Sequence, residues 1–432
     1  MIFSVWMSRL IPKGKIGGSI VALAGSTAAA QVITACSMPI VTRLYSPAEI
    51  GVISLFIAFF GFWSALLSWR YESALLLAVN DSESHLIFRM GTSCIILMSF
   101  LSAPLLFILV SERVLGFGLV PLWGILVGIP IFLGYGLFMM YRSWGLRGGL
   151  VRDISKATVA RSASNAIVRV ALGIFGGGIM GLFVAEVAGA WGATVAIRRS
   201  IHKRYSNSHP LITWQAMKKV AARYAKFPIY EMPSVAVDQL TMALPLPIIA
   251  ELHGASAAGW FGLARLLVAI PNAQIGRAVA DVFQMELARY IRDGQHQAAY
   301  LLFFRILRKL SLFGLLPFTG MVILGPLLVP WIFGRTWAEM GVITAFIAPW
   351  MYAALVVSSL SRVLSVLERQ EYKLIYDILA LVLIVIAYVI SRQWALNLNL
   401  TVALLSIVNI ISYVIYLLVI FHVISKYLKV ER

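Results

Sequence analysis

The sequence predicts an all-α integral membrane protein with twelve transmembrane helices in two pseudo-symmetric six-helix bundles. Composition, the spacing of apolar runs and an internal repeat lead there. Of 432 residues, 60% are hydrophobic and 12% charged, with a mean hydropathy of +0.88. Soluble domains carry about 25% charged residues.

Crossing a hydrocarbon core of about 30 Å takes roughly 20 apolar residues in a helix. Such runs occur at 17–42, 50–69, 86–110, 118–140, 157–177 and 179–197, then at 228–250, 256–280, 310–333, 341–361, 374–391 and 399–425. Arg9, Lys13 and Lys15 precede the first run as they would in a signal peptide, but the run continues to residue 42, so an uncleaved first span is expected.

In a soluble protein the excess of 36 Lys and Arg over 18 Asp and Glu would suggest nucleic acid; in a membrane protein its placement matters more. With the N-terminus inside, the inner segments, counted with Arg89 and Arg161 near the inner ends of their spans, hold 29 basic residues and the outer connections 4, namely Arg43, Arg113, Arg335 and Arg392. Basic residues gather in cytoplasmic loops, so both termini are expected in the cytoplasm and no nucleic-acid partner is implied. Residues 198–227 carry eight basic residues and separate the two sets of six spans. The expected organisation is therefore a bundle over 1–197, a basic cytoplasmic linker over 198–227 and a second bundle over 228–432. The second part of the linker has an amphipathic pattern suited to anionic membrane lipid.

PIVTRLYSPAEIG (39–51) aligns without gaps on PIIAELHGASAAG (247–259), at an offset of 208 with Leu44 over Leu252. Six spans separate the copies, so both halves have the same orientation and are expected to be related by an axis along the membrane normal.

An Arg, Lys or Asp at the centre of a membrane helix costs about 2.5–3.5 kcal/mol on insertion scales, so such residues face partners or hydrated cavities. Arg161, Asn165 and Arg169 recur at four-residue spacing and share one helical face. Counted from the Gly176–Gly178 turn, Arg169 and Glu186 lie at similar depth and can pair. Glu231 and Asp238 share a face of the proline-dense seventh span, which is expected to bend; Arg265, Asn272 and Arg277 occupy the eighth, with Asp238 and Arg265 a second candidate pair. Structural ion pairs would explain each pair alone. Basic sites in opposite halves at similar depth favour a central cationic cavity, where guanidinium forks suit phosphate oxygens. The carboxylates would then hold the arginines between cycles, or bind a coupling cation.

The stretch RYE places Arg70 19 residues after Gly51, while Arg277 lies 18 after Gly259, with Glu72 and Asp281 following them. Either Arg70 snorkels to headgroups beside Glu72, or the two sets form matched inner-gate clusters, with SALLLA prolonging the helix beyond the core. The six histidines lie in loops or near span ends and form no catalytic or metal-ligand cluster, and no GxxxxGK[ST] loop occurs, so neither a metal nor a cofactor nor ATP hydrolysis is expected. Cys36 and Cys94 read as lipid-facing or packed thiols.

At TRLYSPAEIGVISLF, RYESALLLA, ELHGASAAGWFGLARLLVAIPNAQIG and WIFGRTWAEMG the chain resembles polysaccharide or lipopolysaccharide export proteins of the Wzx type. These belong to the multidrug/oligosaccharidyl-lipid/polysaccharide exporter superfamily. The resemblance covers nearly the whole chain. It implies two six-helix bundles facing a central cavity, and flipping of undecaprenyl-pyrophosphate-linked oligosaccharide (O-antigen, capsule or exopolysaccharide units) by alternating access in a bacterial inner membrane. Arg169 and Arg265 fit the cationic cavity of such proteins. A polysaccharide polymerase and a chain-length regulator are candidate protein partners. The rival within the superfamily is a drug or metabolite exporter, which predicts an acidic cavity; the rival outside it is a membrane polysaccharide polymerase or ligase, which needs catalytic groups and a substantial outer loop.

Overall fold

The computed structural model describes residues 15–205, 213–272, 276–367, 369 and 371–427. All regular structure among them is helical: α1 Lys15–Leu44, α2 Pro47–Ser64, α3 Tyr71–Leu75, α4 Asp81–Ser111, α5 Leu122–Arg147, α6 Val151–Ile174, α7 Gly178–Tyr205 and α8 Trp214–Arg223. A π-helical turn over Phe227–Glu231 leads into α9 Met232–Ala243, followed by α10 Pro245–Pro271, α11 Arg277–Arg292, α12 His296–Phe333, α13 Ala338–Leu360, α14 Arg362–Val366, α15 Glu371–Gln393 and α16 Leu398–Tyr427.

Ten helical runs among the described residues are long and apolar enough to cross a membrane. Their outward faces are apolar, as lipid contact requires: Leu316 is 81% exposed, Trp331 80% and Leu327 68%. The protein is a multi-pass integral membrane protein. Helix α6, at 24 residues, has the length to cross but carries Arg152, Lys156, Arg161, Asn165 and Arg169. The run Phe227–Pro271 has 45 residues, which would span about 68 Å if straight. It is broken at Gly254, whose φ of 82° and ψ of −176° no residue with a Cβ adopts readily.

Gly254 is the residue aligned on Ser46 in the internal repeat. Ser46, with ψ 157°, is the break between α1 and α2, so both copies turn at the same aligned position. Different chemistry makes the two turns. Ser46 forms a capping box in which its backbone N–H donates to Glu49 Oε2 at 2.8 Å and its hydroxyl accepts from the Glu49 N–H at 3.3 Å, with Pro47 in the first turn. At Gly254, glycine supplies a backbone conformation instead.

The chain divides into two compact units, Met1–Ala243 and Leu244–Arg432. The division falls within the seventh apolar run, between Ala243 and Leu244, and α9 packs on α2 of the first unit. In that unit α6 packs between α1 and α7, and α5 against α4 and α7. Phe56, Phe132 and Phe183 are fully buried where α2, α5 and α7 meet, with Phe56 ring centroids 4.9 Å from Phe183 and 6.0 Å from Phe132. In the second unit α13 is central, packed on α10, α12 and α16, while α15 lies on α16. Its core holds Trp337, Trp350, Phe261 and Phe303, each at 2% exposure or less.

Candidate functional site

The hydropathy of residues 50–69 reads as one uninterrupted span, but α2 stops at Ser64 and the chain turns through 65–70 before the five-residue α3. The helix expected to continue through SALLLA is therefore absent. At the turn, Trp69 (φ 52°) and Arg70 (φ 63°) are both left-handed, a region that costs a residue with a Cβ about 1–2 kcal/mol. The guanidinium of Arg70 offsets this. Its Nη1 donates to Glu72 Oε1 at 2.7 Å, its Nε and Nη2 to Glu231 Oε1 at 3.0 and 2.6 Å, and Nη2 also to Ser73 Oγ at 3.1 Å. The Ser68 hydroxyl donates to the other oxygen of Glu72, which is 7% exposed. Glu231 closes the π-turn between Pro228 and Pro233. One arginine thus ties the strained end of α2 to the turn that starts α9, 161 residues further on.

Beside this cluster lies a cavity of about 200 Å³ lined by Ser64, Ser68, Arg70, Glu72, Tyr135 and Gln239, together with apolar groups that include Leu67, Met139 and Val235. All of these residues belong to the first unit.

The depth match expected between α6 and α7 is realised. Arg169 Nη2 donates to Glu186 Oε1 at 2.7 Å, and Asn165 Nδ2 donates to the same oxygen at 3.0 Å and to the Ala185 carbonyl at 3.2 Å. The side chains of Arg169 and Glu186 are each 18% exposed. Gly189 permits the approach, since a Cβ there would meet the Arg161 carbonyl at 3.1 Å. Arg161, on the same face, lies over the Tyr135 ring at 4.7 Å, joining α6 to the wall of the cavity.

Arg265 is placed differently. It lies on α10, half-buried, and its electrostatic neighbour is Tyr413 of α16. No ion pair among the described residues includes Arg265. Tyr413 borders a tyrosine cluster in which the rings of Tyr376 and Tyr416 stack with centroids 3.9 Å apart. Next to Tyr376, the buried Asp377 accepts from Lys373 Nζ at 2.7 Å. Sequence reading missed this cluster, although Tyr413 and Tyr416 stand three apart on one helical face, the signal that could have revealed it.

Among the other expected residues, Asn272 donates to the Met351 carbonyl at 3.1 Å. Asp238 lies on α9 in the first unit, so the pair expected with Arg265 would cross the unit boundary. Asp281 is exposed on α11, and the side chain of Arg277 lies outside the described residues, as do residues 1–14 with Arg9 and Lys13. No group of three or more His, Cys, Asp and Glu side chains arranged to hold a metal occurs among the described residues.

This arrangement of apolar crossing helices is shared by solved structures. An inward-facing multidrug resistance MATE family transporter of the MOP superfamily superimposes with a TM-score of 0.71 at 15% identity, covering 92% of this chain and 95% of that one. The lipid II flippase MurJ in an inward closed conformation gives 0.72 at 12% identity over 93% and 87% of the two chains. A MOP superfamily transporter from Pyrococcus furiosus gives 0.65 at 14% identity over 98% and 99%. The polysaccharide biosynthesis protein family model matches residues 40–342, and the chain belongs to that family. The fold is the one these solved transporters have. No curated protein matches the sequence.

Proposed function

We propose that the protein flips undecaprenyl-pyrophosphate-linked oligosaccharide from the inner to the outer leaflet of a bacterial cytoplasmic membrane. Membership of the polysaccharide biosynthesis family supports a glycan substrate, and the likeness to a lipid II flippase supports a lipid-linked one. Counting α6 and both arms of the Phe227–Pro271 run gives twelve crossings, an even number that suits the cytoplasmic termini implied by the basic inner loops.

The observation that carries the reading is Arg265, a guanidinium in a membrane helix with no carboxylate bound to it among the described residues. An ungated positive charge in that setting needs a counter-charge, and the forked donors of arginine match a pyrophosphate. Arg169, with Arg161 and Asn165 on its face, is the second phosphate group, released from Glu186 when substrate arrives. Asn272, about two turns beyond Arg265 in the second unit, is a further polar group for the substrate. Arg70 with Glu72 and Glu231 is a switchable ion cluster, and Arg277 with Asp281 is its counterpart in the second repeat. Asp238 serves coupling. The two halves alternate their access to the leaflets while the polyprenyl tail stays in lipid. A polysaccharide polymerase and a chain-length regulator act next on the product.

Deleting the gene tests this. Undecaprenyl-linked oligosaccharide is expected to accumulate in the inner leaflet while surface polysaccharide disappears. Loss of surface polysaccharide with no lipid-linked precursor would place the protein at another step.

A further inference from the structure

The cavity in the first unit has a lining that the phosphate reading does not use. Tyr135 and Gln239 both face it, and neither the Tyr135 hydroxyl nor the Gln239 amide hydrogen-bonds to any described residue. Polar groups inside a membrane protein are satisfied by protein, water or ligand, so these two mark where a polar guest is received. Around them stand the donors of Arg70, the acceptors of Glu72 and the hydroxyls of Ser64 and Ser68.

Charge narrows the guest. The guanidinium of Arg70 is already occupied by Glu72 and Glu231 at 2.6–3.0 Å and that of Arg161 lies against the Tyr135 ring, so an incoming phosphate would find no free fork in the cavity. A metal cation would lack ligands, because no carboxylate and histidine group suited to one occurs among the described residues. What remains is a neutral guest that both donates and accepts. At about 200 Å³ the cavity has room for one sugar ring. The tyrosine and the apolar wall of Leu67, Met139 and Val235 suit the C–H faces of such a ring.

We propose that this cavity is a monosaccharide subsite, which holds one sugar of the glycan while the pyrophosphate is held elsewhere. The proposal rests on the transport reading and assigns it a point of glycan selectivity in the first unit. Gln239 and Tyr135 are the groups that contact the sugar hydroxyls. Arg161, stacked on Tyr135, positions that ring.

The test uses the full chain reconstituted in nanodiscs and two probes: undecaprenyl pyrophosphate alone, and the undecaprenyl-pyrophosphate-linked oligosaccharide of the producing cell. Gln239→Ala and Tyr135→Phe each remove a hydrogen bond, so each is expected to weaken binding of the glycan-bearing lipid about five- to tenfold. Both variants bind the bare lipid as the unaltered protein does, which also reports that they are folded; Tyr135→Phe keeps the ring that Arg161 needs. Equal weakening for both lipids, or no weakening for either, overturns the subsite. Failure of the unaltered protein to bind either lipid overturns the transport reading, and the subsite with it.

Discussion

Arg70 and Arg169 of the first unit and Arg265 of the second live in opposite surroundings, and Arg161, over the Tyr135 ring, resembles Arg265. In the first unit Arg70 is bound by Glu72 and Glu231, and Arg169 by Glu186. In the second, Arg265 sits by a tyrosine with no carboxylate bound to it among the described residues. The same side chain therefore does two kinds of work. Held between two carboxylates, Arg70 joins distant segments, and Arg169 binds only once Glu186 releases it; Arg265, without an anionic partner among the described residues, is a binding group from the start. The difference also shows why a count of intramembrane charges alone misleads, because partners decide what a charge is for.

Removing the open arginine should have the largest functional effect and the smallest structural one. Arg265→Ala is expected to lower surface polysaccharide at least a hundredfold, with membrane abundance unchanged on an immunoblot. Arg265→Lys keeps the charge and loses the fork, and is expected to retain only partial activity. Loss of the protein itself in Arg265→Ala would show a structural role and dissolve the contrast.

The bound arginines should behave in the reverse way. Arg70→Ala leaves two carboxylates facing each other and is expected to destabilise the first unit by about 2–4 kcal/mol, read as a lower Tm in detergent. Glu231→Gln keeps a hydrogen-bond acceptor and should lose less. Glu186→Ala is expected to fall between them, and adding Arg169→Ala to it should restore part of the loss, since the uncompensated charge is then gone.

The two matched turns sharpen the comparison at smaller scale. Gly254→Ala forces a Cβ into a conformation almost reserved for glycine and is expected to lower stability by about 1–3 kcal/mol. Ser46→Ala, at the aligned position, removes only a cap, for about 1 kcal/mol. Equal losses in thermal unfolding would show that the two turns are held by the same means.

What was legible in the sequence was local or periodic. Hydropathy gave the crossing runs, and the repeat placed Ser46 over Gly254 before either was known to be a break. Arg169 and Glu186 could be paired because their helices are consecutive and depth along a helix follows from residue count. Glu231 could not be paired with Arg70, because no local spacing connects residues 161 apart. The turn at Trp69 and Arg70 was hidden as well: it carries no Gly, Pro or Asn and interrupts an apolar run, and its strain is held by contacts made far along the chain. Tyr413, beside Arg265, stands three residues before Tyr416 on one helical face, but nothing local connects either to Tyr376 of the preceding helix.

The most direct measurement is transport in proteoliposomes loaded with fluorescent undecaprenyl-pyrophosphate-linked oligosaccharide, comparing unaltered protein with Arg265→Ala. Movement of the lipid between leaflets by the unaltered protein, and its loss in Arg265→Ala at equal incorporation, is the predicted result. Equal transport by both would contradict the assignment of Arg265 as the pyrophosphate-binding group.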